Sequence, residues 1–475
     1  MERASNVPLG GALDAVRGVL APADALHFVM LLILLRHEAE RENEGRPGLS
    51  RAGHAWSVDL NQSLWMRDGL EVLSVVMGGL EEWESRHIRL RDLSPDLRDV
   101  RGSDLEPLVR CVAAAQKPTS LFESCLEHVQ RAAKGGDYYT PAGIAALLAG
   151  LMEPRPGERV YDPVCGSGGL LLKADEYVQA HGGRVGDTAL YGQDSSRNAV
   201  ETAAVNLTVH GVEGSLQGPA SSLTDDRFES RTFDVIVANP PFNQAGWSQG
   251  GRGLHRGWRY GIPPEGNANF AWAQHVVSKM SATDSGRGVV LLPTAAASTS
   301  KSAELGIRAG LVEDDVLSCV VELPAGLLSH VRNPVTLWLF TRSKKPRTGW
   351  GSVDRSGHVL LIDASDTAAK AGRGRRSLPH EARSRIIETF AAWRGAPGQA
   401  AYEDVPGWCR SVATAEVGAV QDYDLLPSRH VGVPVSEHEY ADKEERVRDL
   451  TGELHSLFEA SHRLETELLD LLSQW

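Results

Sequence analysis

An apolar run at 233–238 that ends in Asn239-Pro240-Pro241-Phe242 constrains this chain more tightly than any other segment. Phe233-Asp234-Val235-Ile236-Val237-Ala238 has the β-branched, nearly continuous hydrophobic character of a strand buried on both faces, as in a parallel sheet. The prolines that follow forbid the strand from continuing, because each fixes φ and lacks a backbone N–H donor. A polar amide, a stiff turn and a flat ring are thereby set at a strand's carboxyl end, the edge at which open α/β sheets bind ligands. There the Asn239 side-chain oxygen and the Pro240 carbonyl can accept both hydrogens of one exocyclic amine. Phe242 offers a face on which the ring bearing that amine can stack. The same residues also make an ordinary strand-to-loop turn, so the neighbours must decide between the two.

Those neighbours have the pattern of an α/β domain. Short apolar runs at 159–161, 189–192, 233–237, 288–292, 316–323 and 335–340 alternate with helical stretches, one of them at 269–280. Such alternation predicts a parallel sheet. Residues 1–118 read as helical. Their apolar stretch at 28–35 is followed at once by Arg36, His37 and Glu38, which suits a buried helix and is too short to cross a bilayer. Residues 345–435 read as irregular, with one strand at 359–362 and a Gly/Arg-rich linker at 372–376. In the tail, Val447, Leu450, Leu454, Leu457, Leu464, Leu468 and Leu471 recur at three- and four-residue steps among charges. That heptad-like stripe, interrupted by Gly452, serves either a helix packed on its own domain or an intermolecular coiled coil. The divisions are a helical N-terminal domain at 1–118, a catalytic domain at 119–365, and a C-terminal region at 366–475 with an amphipathic partner-binding helix.

The formal net charge of −13 is awkward for a chain that grips duplex DNA unaided, because phosphate contacts dominate such affinity. Either basic residues are concentrated locally or a partner supplies the grip. Cys111, Cys125, Cys165, Cys319 and Cys409 are scattered without a C-x-x-C pair, so neither a disulfide framework nor a zinc site is indicated. The N-terminus lacks the basic-then-apolar plan of a secretory signal, and a cytoplasmic protein without membrane partners is expected.

Asp162-Pro163-Val164-Cys165-Gly166-Ser167-Gly168-Gly169 follows the strand at 159–161 and opens a helix at 170–177. Glycines there permit a tight turn and a close approach of backbone to ligand. No Lys-Ser/Thr follows them, which excludes a phosphate-cradling P-loop. The preceding acid suits a ligand with ammonium and sulfonium charges better than a pyrophosphate. The next strand ends Tyr191-Gly192-Gln193-Asp194, where an acid usually accepts ribose hydroxyls. S-adenosylmethionine, with a ribose, an amino acid and a positive sulfur, meets these demands; NAD is the competitor. Tyr138-Tyr139-Thr140-Pro141, with Thr140 as N-cap and Pro141 as first residue of a helix at 142–150, could pack over the methionine end or simply start that helix.

Gly136-Asp137-Tyr138-Tyr139-Thr140-Pro141, residues 162–169, Tyr191-Gly192-Gln193-Asp194, Asn206-Leu207 and Asn239-Pro240-Pro241-Phe242 together resemble the class I N6-adenine DNA methyltransferases. They are most similar to the modification subunit of type I restriction–modification systems. Trp258-Arg259-Tyr260-Gly261-Ile262-Pro263-Pro264, Val321-Glu322-Leu323-Pro324, Leu337-Trp338-Leu339-Phe340 and Asp422-Tyr423-Asp424-Leu425 agree in the same order, so the likeness runs through 120–435. It implies a Rossmann-like S-adenosylmethionine-dependent methyltransferase sheet with a helical N-terminal domain and a helical C-terminal tail. It gives Asp137, Tyr138, Tyr139, Thr140, Pro141, Ser167, Gly168 and Gly169 contacts with the cofactor, alongside Asp162, Cys165 and Gly166 of the same turn. Asp194 would bind the ribose, and Asn239, Pro240, Pro241 and Phe242 would hold the target adenine.

The implied activity is site-specific methylation of adenine N6 in duplex DNA, without a metal or a covalent nucleophile. After the catalytic domain there is no compact basic region large enough to read a multi-base site. A separate specificity subunit docking on terminal helices is therefore expected, with a restriction subunit as a further partner. Residues 251–259 form a candidate DNA-facing loop or a plain solvated one. Two departures stand out: Gly218-Pro219-Ala220-Ser221 lacks the acid that many relatives carry there, and Ala142 replaces a common Arg. The first leaves open the contact to the cofactor's adenine ring. Two other classes stay open, a methyltransferase acting on a protein glutamine amide or an RNA base amine, and a non-catalytic scaffold.

Overall fold

The computed structural model describes residues 8–44, 50–60, 68–132, 140–248, 258–328, 333–370 and 376–433, with parts of 448–461. Helices α1 (Leu9–Ala15), α2 (Pro22–Asn43), α3 (Ser50–His54), α4 (Gly69–Arg86), α5 (Glu106–Ala114) and α6 (Pro118–Ala132) come first. The strands are β1 (Arg159–Asp162), β2 (Ala189–Gln193), β3 (Gly214–Gln217), β4 (Val235–Ala238), β5 (Arg287–Pro293), β6 (Leu317–Leu323), β7 (Val335–Thr341), β8 (His358–Asp363), β9 (Ala369–Lys370), β10 (Arg376–Ser377) and β11 (Cys409–Ala413). Interleaved with them are α7 (Ala142–Met152), α8 (Gly169–Ala180), α9 (Arg197–Val209), α10 (Asn269–Lys279), α11 (Ala295–Ser298), α12 (Ser302–Glu313), α13 (His380–Trp393) and α14 (Thr414–Gln421).

One nine-stranded sheet runs in the order β11-β8-β6-β7-β5-β4-β1-β2-β3. The chain lays β2 and β3 to one side of β1, then returns to place β4 on the other. β1 and β4 pair in parallel, with Val160 opposite Val235 and Tyr161 opposite Ile236. Where strand order reverses, the following connections leave in opposite directions and a crevice opens at the carboxyl ends. The glycine turn follows β1 and Asn239-Pro240-Pro241 follows β4, so both meet at that crevice.

A wholly parallel sheet is not what forms. β7 pairs antiparallel with both β5 and β6, and β11 pairs antiparallel with β8. The connection from Leu323 to Val335 is too short for a crossover helix, which a parallel neighbour would require. The described residues within 345–433 are also more regular than their composition indicates. β8 and β11 extend the sheet, and α13 packs on α7, where a Cβ at Gly150 would collide with Ile387. The short edge strand β3 has no apolar alternation to announce it; its residues are mostly exposed.

α2 and α9 each carry a stretch buried all round, as a helix must be where both faces are covered. In α2 every residue from 28 to 35 is at most 1% exposed, so the apolar run is the core of the N-terminal helices. No helix among the described residues is long and apolar enough to cross a membrane. In α9, Ala203 and Leu207 face the sheet core while Ala204, Val205 and Val209 join the N-terminal core. That helix is shared by the two cores.

At the amino ends of the central strands, away from the crevice, Arg287 opens β5 with 1% exposure. Its guanidinium donates to Glu158 Oε1 at 2.9 Å and Oε2 at 2.7 Å and to the carbonyls of Met152 at 2.5 Å and Glu153 at 2.7 Å. It thus ties β5 to the end of α7 and the entry to β1. Removing one partner of a buried pair strands the other charge, at a cost of roughly 3–5 kcal/mol. Arg287→Ala is expected to lower the unfolding free energy by about that amount in urea titration, and Arg287→Lys by less. A change under about 1 kcal/mol for the alanine variant would refute the brace.

Candidate functional site

The site begins with how the glycine turn is held. Asp162 Oδ1 accepts from Val164 N at 2.9 Å, Gly168 N donates to the Cys165 carbonyl at 2.8 Å, and Cys165 N donates to the Gln193 carbonyl at 3.0 Å. Gly166 and Gly168 sit at φ 52° and 79°, the left-handed region where a side chain is strained. A Cβ on Gly168 would also lie 3.3 Å from the Cβ of Ala203, so glycine lets α9 come close. From α9, Asn206 Nδ2 donates to the Ser167 carbonyl at 2.8 Å and pins the turn from behind.

Asp194 stands at the end of β2. Its Oδ2 accepts from Gly166 N at 3.0 Å and its Oδ1 from Ser196 N at 2.8 Å. These two bonds orient the carboxylate. The segment 218–221 is built around the same residue: Ala220 N donates to the Asp194 carbonyl at 2.9 Å, and a Cβ on Gly218 would collide with that carbonyl oxygen. Ser221 of this segment and the adjoining Ser222 are the polar groups brought to the cavity here.

Beyond β4, Asn239 is 4% exposed. Its Nδ2 donates to Thr140 Oγ1 at 2.9 Å, while its Oδ1 is buried with no hydrogen-bond partner. Thr140 therefore does not cap a helix. Pro141 is the N-cap of α7, and the Thr140 hydroxyl instead fixes which way the Asn239 amide points. The turn is closed by Asn243 N donating to Asn269 Oδ1 at 3.0 Å and Asn269 Nδ2 donating to Asn243 Oδ1 at 2.9 Å.

These parts line one cavity of about 210 Å³. Gly166, Ser167, Asp194, Asn239 and Pro241 face it, joined by Gln244 and Trp272. Gly168 and Gly169 start α8, Pro240 is buried beneath the turn, and Asp162 and Cys165 are buried below the glycine loop. Phe242 is half-buried and packs against the sheet core instead of lining the cavity. Asp137, Tyr138 and Tyr139 lie outside the described residues, as do 251–257 of the basic loop. Arg259 of that loop pairs with Asp314 at 2.6 Å.

Sequence reasoning missed several members. Gln193 is fully buried; its Nε2 donates to the carbonyls of Ala220 and Asp225 at 3.0 and 2.8 Å, and its Oε1 accepts from Arg227 N at 2.9 Å. It braces the 220–227 loop that carries Ser221 and Ser222. Its place beside Asp194 was the available signal. Trp272 lies on α10, where nothing in the pattern tells which aromatic faces the sheet edge. His27 and Met30 of α2 and Leu126 and Val129 of α6 also line the cavity and belong to no motif.

Residues 119–439 match the family model described as N-6 DNA Methylase. The chain is 33% identical over 336 residues to the HindI methylase subunit of a type I restriction enzyme from Haemophilus influenzae, covering 70% of this chain and 72% of that one. It is 30% identical over 344 residues to the type I MjaIX methylase subunit of Methanocaldococcus jannaschii, covering 71% of this chain and 59% of that one. Among solved structures, a type I restriction-modification methyltransferase subunit from Streptococcus thermophilus shares the fold with a TM-score of 0.65 at 20% identity, covering 89% and 97% of the two chains.

Asp162 gives the site an unusual acid. Burial, opposed by the Val164 N–H and reinforced by the charge of Asp194, pushes its pKa up to about 8 from 3.8. Between those values the folded chain holds a proton that the unfolded chain has released. The contribution of this group to stability is therefore full below about pH 4 and lost as pH rises through about 8. Asp162→Asn keeps an oxygen for Val164 and carries no charge. Its melting temperature relative to the wild type is expected to climb from about pH 6 to about pH 9, by an amount worth on the order of 1 kcal/mol or more. An offset that stays constant over that range would rule out a neutral buried carboxyl.

Proposed function

The chain belongs to the N-6 DNA methylase family, and from that premise we propose that it transfers a methyl group from S-adenosylmethionine to N6 of an adenine in duplex DNA, as the modification subunit of a restriction–modification or related phage-defence system. The observation that carries this reading is the orphaned Asn239 Oδ1. A buried acceptor without a donor costs about 1–3 kcal/mol, and an arriving N–H relieves it. Thr140 holds the other end of the same amide, so the oxygen cannot turn away. An exocyclic amine is the donor that this acceptor and the neighbouring Pro240 carbonyl together fit.

The residues present also fit S-adenosylmethionine. Asp194 offers a carboxylate oriented by two backbone N–H groups for a ribose. Gly166 and Ser167 of the glycine turn line the cavity itself. Asp162, neutral for want of solvation, is an acid that a positive ligand would help to ionise. When bound, this cofactor supplies an electrophilic methyl group on a positive sulfur. The protein's own work is positional and electrostatic. The target base leaves the stack at a cost of a few kcal/mol. Asn239 Oδ1 and the Pro240 carbonyl accept the two amine hydrogens and raise electron density on the nitrogen. Pro241, Gln244 and Trp272 bound the space in which the ring is held. A preorganised arrangement of this kind costs nothing to assemble at the moment of reaction.

Sequence recognition is assigned to a separate subunit. The net charge of −13 gives this chain little long-range attraction for DNA. In the tail, Leu450, Leu454 and Leu457 of the predicted stripe are 47%, 53% and 67% exposed beside Phe458, an apolar row that supports docking by a partner helix, while Val447, Leu464, Leu468 and Leu471 lie outside the described residues. A restriction subunit would join the same complex.

Tritium transfer from labelled S-adenosylmethionine to unmethylated duplex DNA, with and without a specificity subunit, tests the reading. Label on adenine N6 only in the presence of the partner is expected. Asn239→Ala should lower the rate on the order of 100-fold or more while leaving cofactor binding intact. Thr140→Val, which frees the amide to rotate, should lower it about tenfold. Near-wild-type transfer by the Asn239 variant would overturn the role given to its oxygen, and label on another amine substrate would overturn the choice of DNA.

A further inference from the structure

The outer wall of the cavity comes from the N-terminal helices. α2 contributes His27 and Met30, and α6 contributes Leu126 and Val129. Met30 and Leu126 are 1% and 8% exposed, so the cavity meets a packed surface there. Across the opening, Asn198 Nδ2 of α9 donates to His27 Nε2 at 3.4 Å. Burial lowers the His27 pKa against the opposing charges of Asp24 and Asp92, which keeps the imidazole neutral and able to accept that bond. The wall is held in place by further contacts to α9. Glu201, fully buried, accepts from Asp92 N at 2.8 Å and Leu93 N at 3.0 Å. Arg197 lies 3.9 Å from Asp92, and Asp24 Oδ1 accepts from Asp96 N at 3.1 Å.

α9 is thus in contact with three things at once: the N-terminal core, the glycine turn through Asn206, and the cavity through Asn198, Ala199 and Thr202. We propose that the N-terminal helical domain is an integral part of the cofactor site, with His27 and Met30 as cofactor-binding residues, and that cofactor binding and the seating of this domain on α9 are one coupled equilibrium. The proposal rests on the S-adenosylmethionine reading of the cavity. Its physical basis is linkage: a ligand that contacts both walls binds only when both are in place, and so holds them together by the same free energy by which the docked domain tightens the ligand. An N-terminal domain that moves off α9 would take His27, Met30, Leu126 and Val129 with it and leave the cavity open on that side.

Two measurements on the full chain test this. In calorimetric titration with S-adenosylmethionine, His27→Ala and Met30→Ala are each expected to weaken binding about tenfold. Arg17→Ala, an exposed change elsewhere in the same domain, is expected to leave binding unchanged. In hydrogen exchange on the unaltered chain, saturating cofactor is expected to slow the amides of α2 and of Asp92 and Leu93 on the order of tenfold. The second measurement needs no variant and stands even if a substitution unfolds the domain. Wild-type binding with neither a weakened variant nor any slowing in α2 would overturn the inference while leaving the cofactor reading intact. No binding of S-adenosylmethionine by the unaltered chain would overturn the cofactor reading itself, and the inference with it.

Discussion

The parallel pairing of β1 with β4 is the constraint on which the rest of the structure depends. It joins two strands that are far apart in sequence and adjacent in the sheet, and it makes them the point where strand order reverses. The connections leaving β1 and β4 then diverge, and the gap between them is the crevice. Each strand ends in residues that cannot extend it: a glycine turn after β1, two prolines after β4. The crevice therefore opens at a defined height, with a carboxylate-bearing strand end on one side and Asn239 on the other. Changes elsewhere in the sheet, such as the antiparallel insertion of β7 or the addition of β8 and β11, leave this junction untouched.

The second organising element is α9. Most helices on a sheet bury one face and show the other to water, but every residue of α9 from Val200 to Val209 is buried. One side packs on the sheet and the other is shared with the N-terminal helices. Three polar side chains of this helix tie it to neighbouring segments. Asn206 holds the glycine turn, Glu201 holds the backbone at 92–93, and Asn198 reaches His27. The N-terminal helices and the sheet thus line one cavity as well as packing on a common helix.

Much of this was legible in the chain. Burial pattern and terminators placed β1, β2, β4, β5, β6, β7 and β8 within a residue or two, because an apolar run bounded by Gly, Pro or Asn has few other ways to bury itself. The run at 28–35 announced a core helix for the same reason. The strands at 214–217 and 409–413 were not legible, since an edge strand with few buried side chains carries little periodic signal. The direction of β7 was hidden as well; an apolar strand reads the same in either orientation. Thr140 illustrates a further limit. Its position before a proline and a helix marks it as a cap, yet its hydroxyl is taken by Asn239, a residue distant in the chain.

By itself, then, the amino-acid sequence determined the class of fold and the identity of the residues at the carboxyl ends of β1, β2 and β4. Those follow from local rules: hydrophobic period, φ restriction at proline, freedom at glycine, and the chemistry of Asp and Asn at strand ends. Only the tertiary structure decided how those residues act together. The orientation of the Asn239 amide, the burial that raises the pKa of Asp162, and the approach of His27 and Met30 to the cavity all arise from contacts between segments distant in sequence. A local pattern carries no information about such contacts, because they are set by which surfaces must be buried together once the whole sheet and its flanking helices have formed.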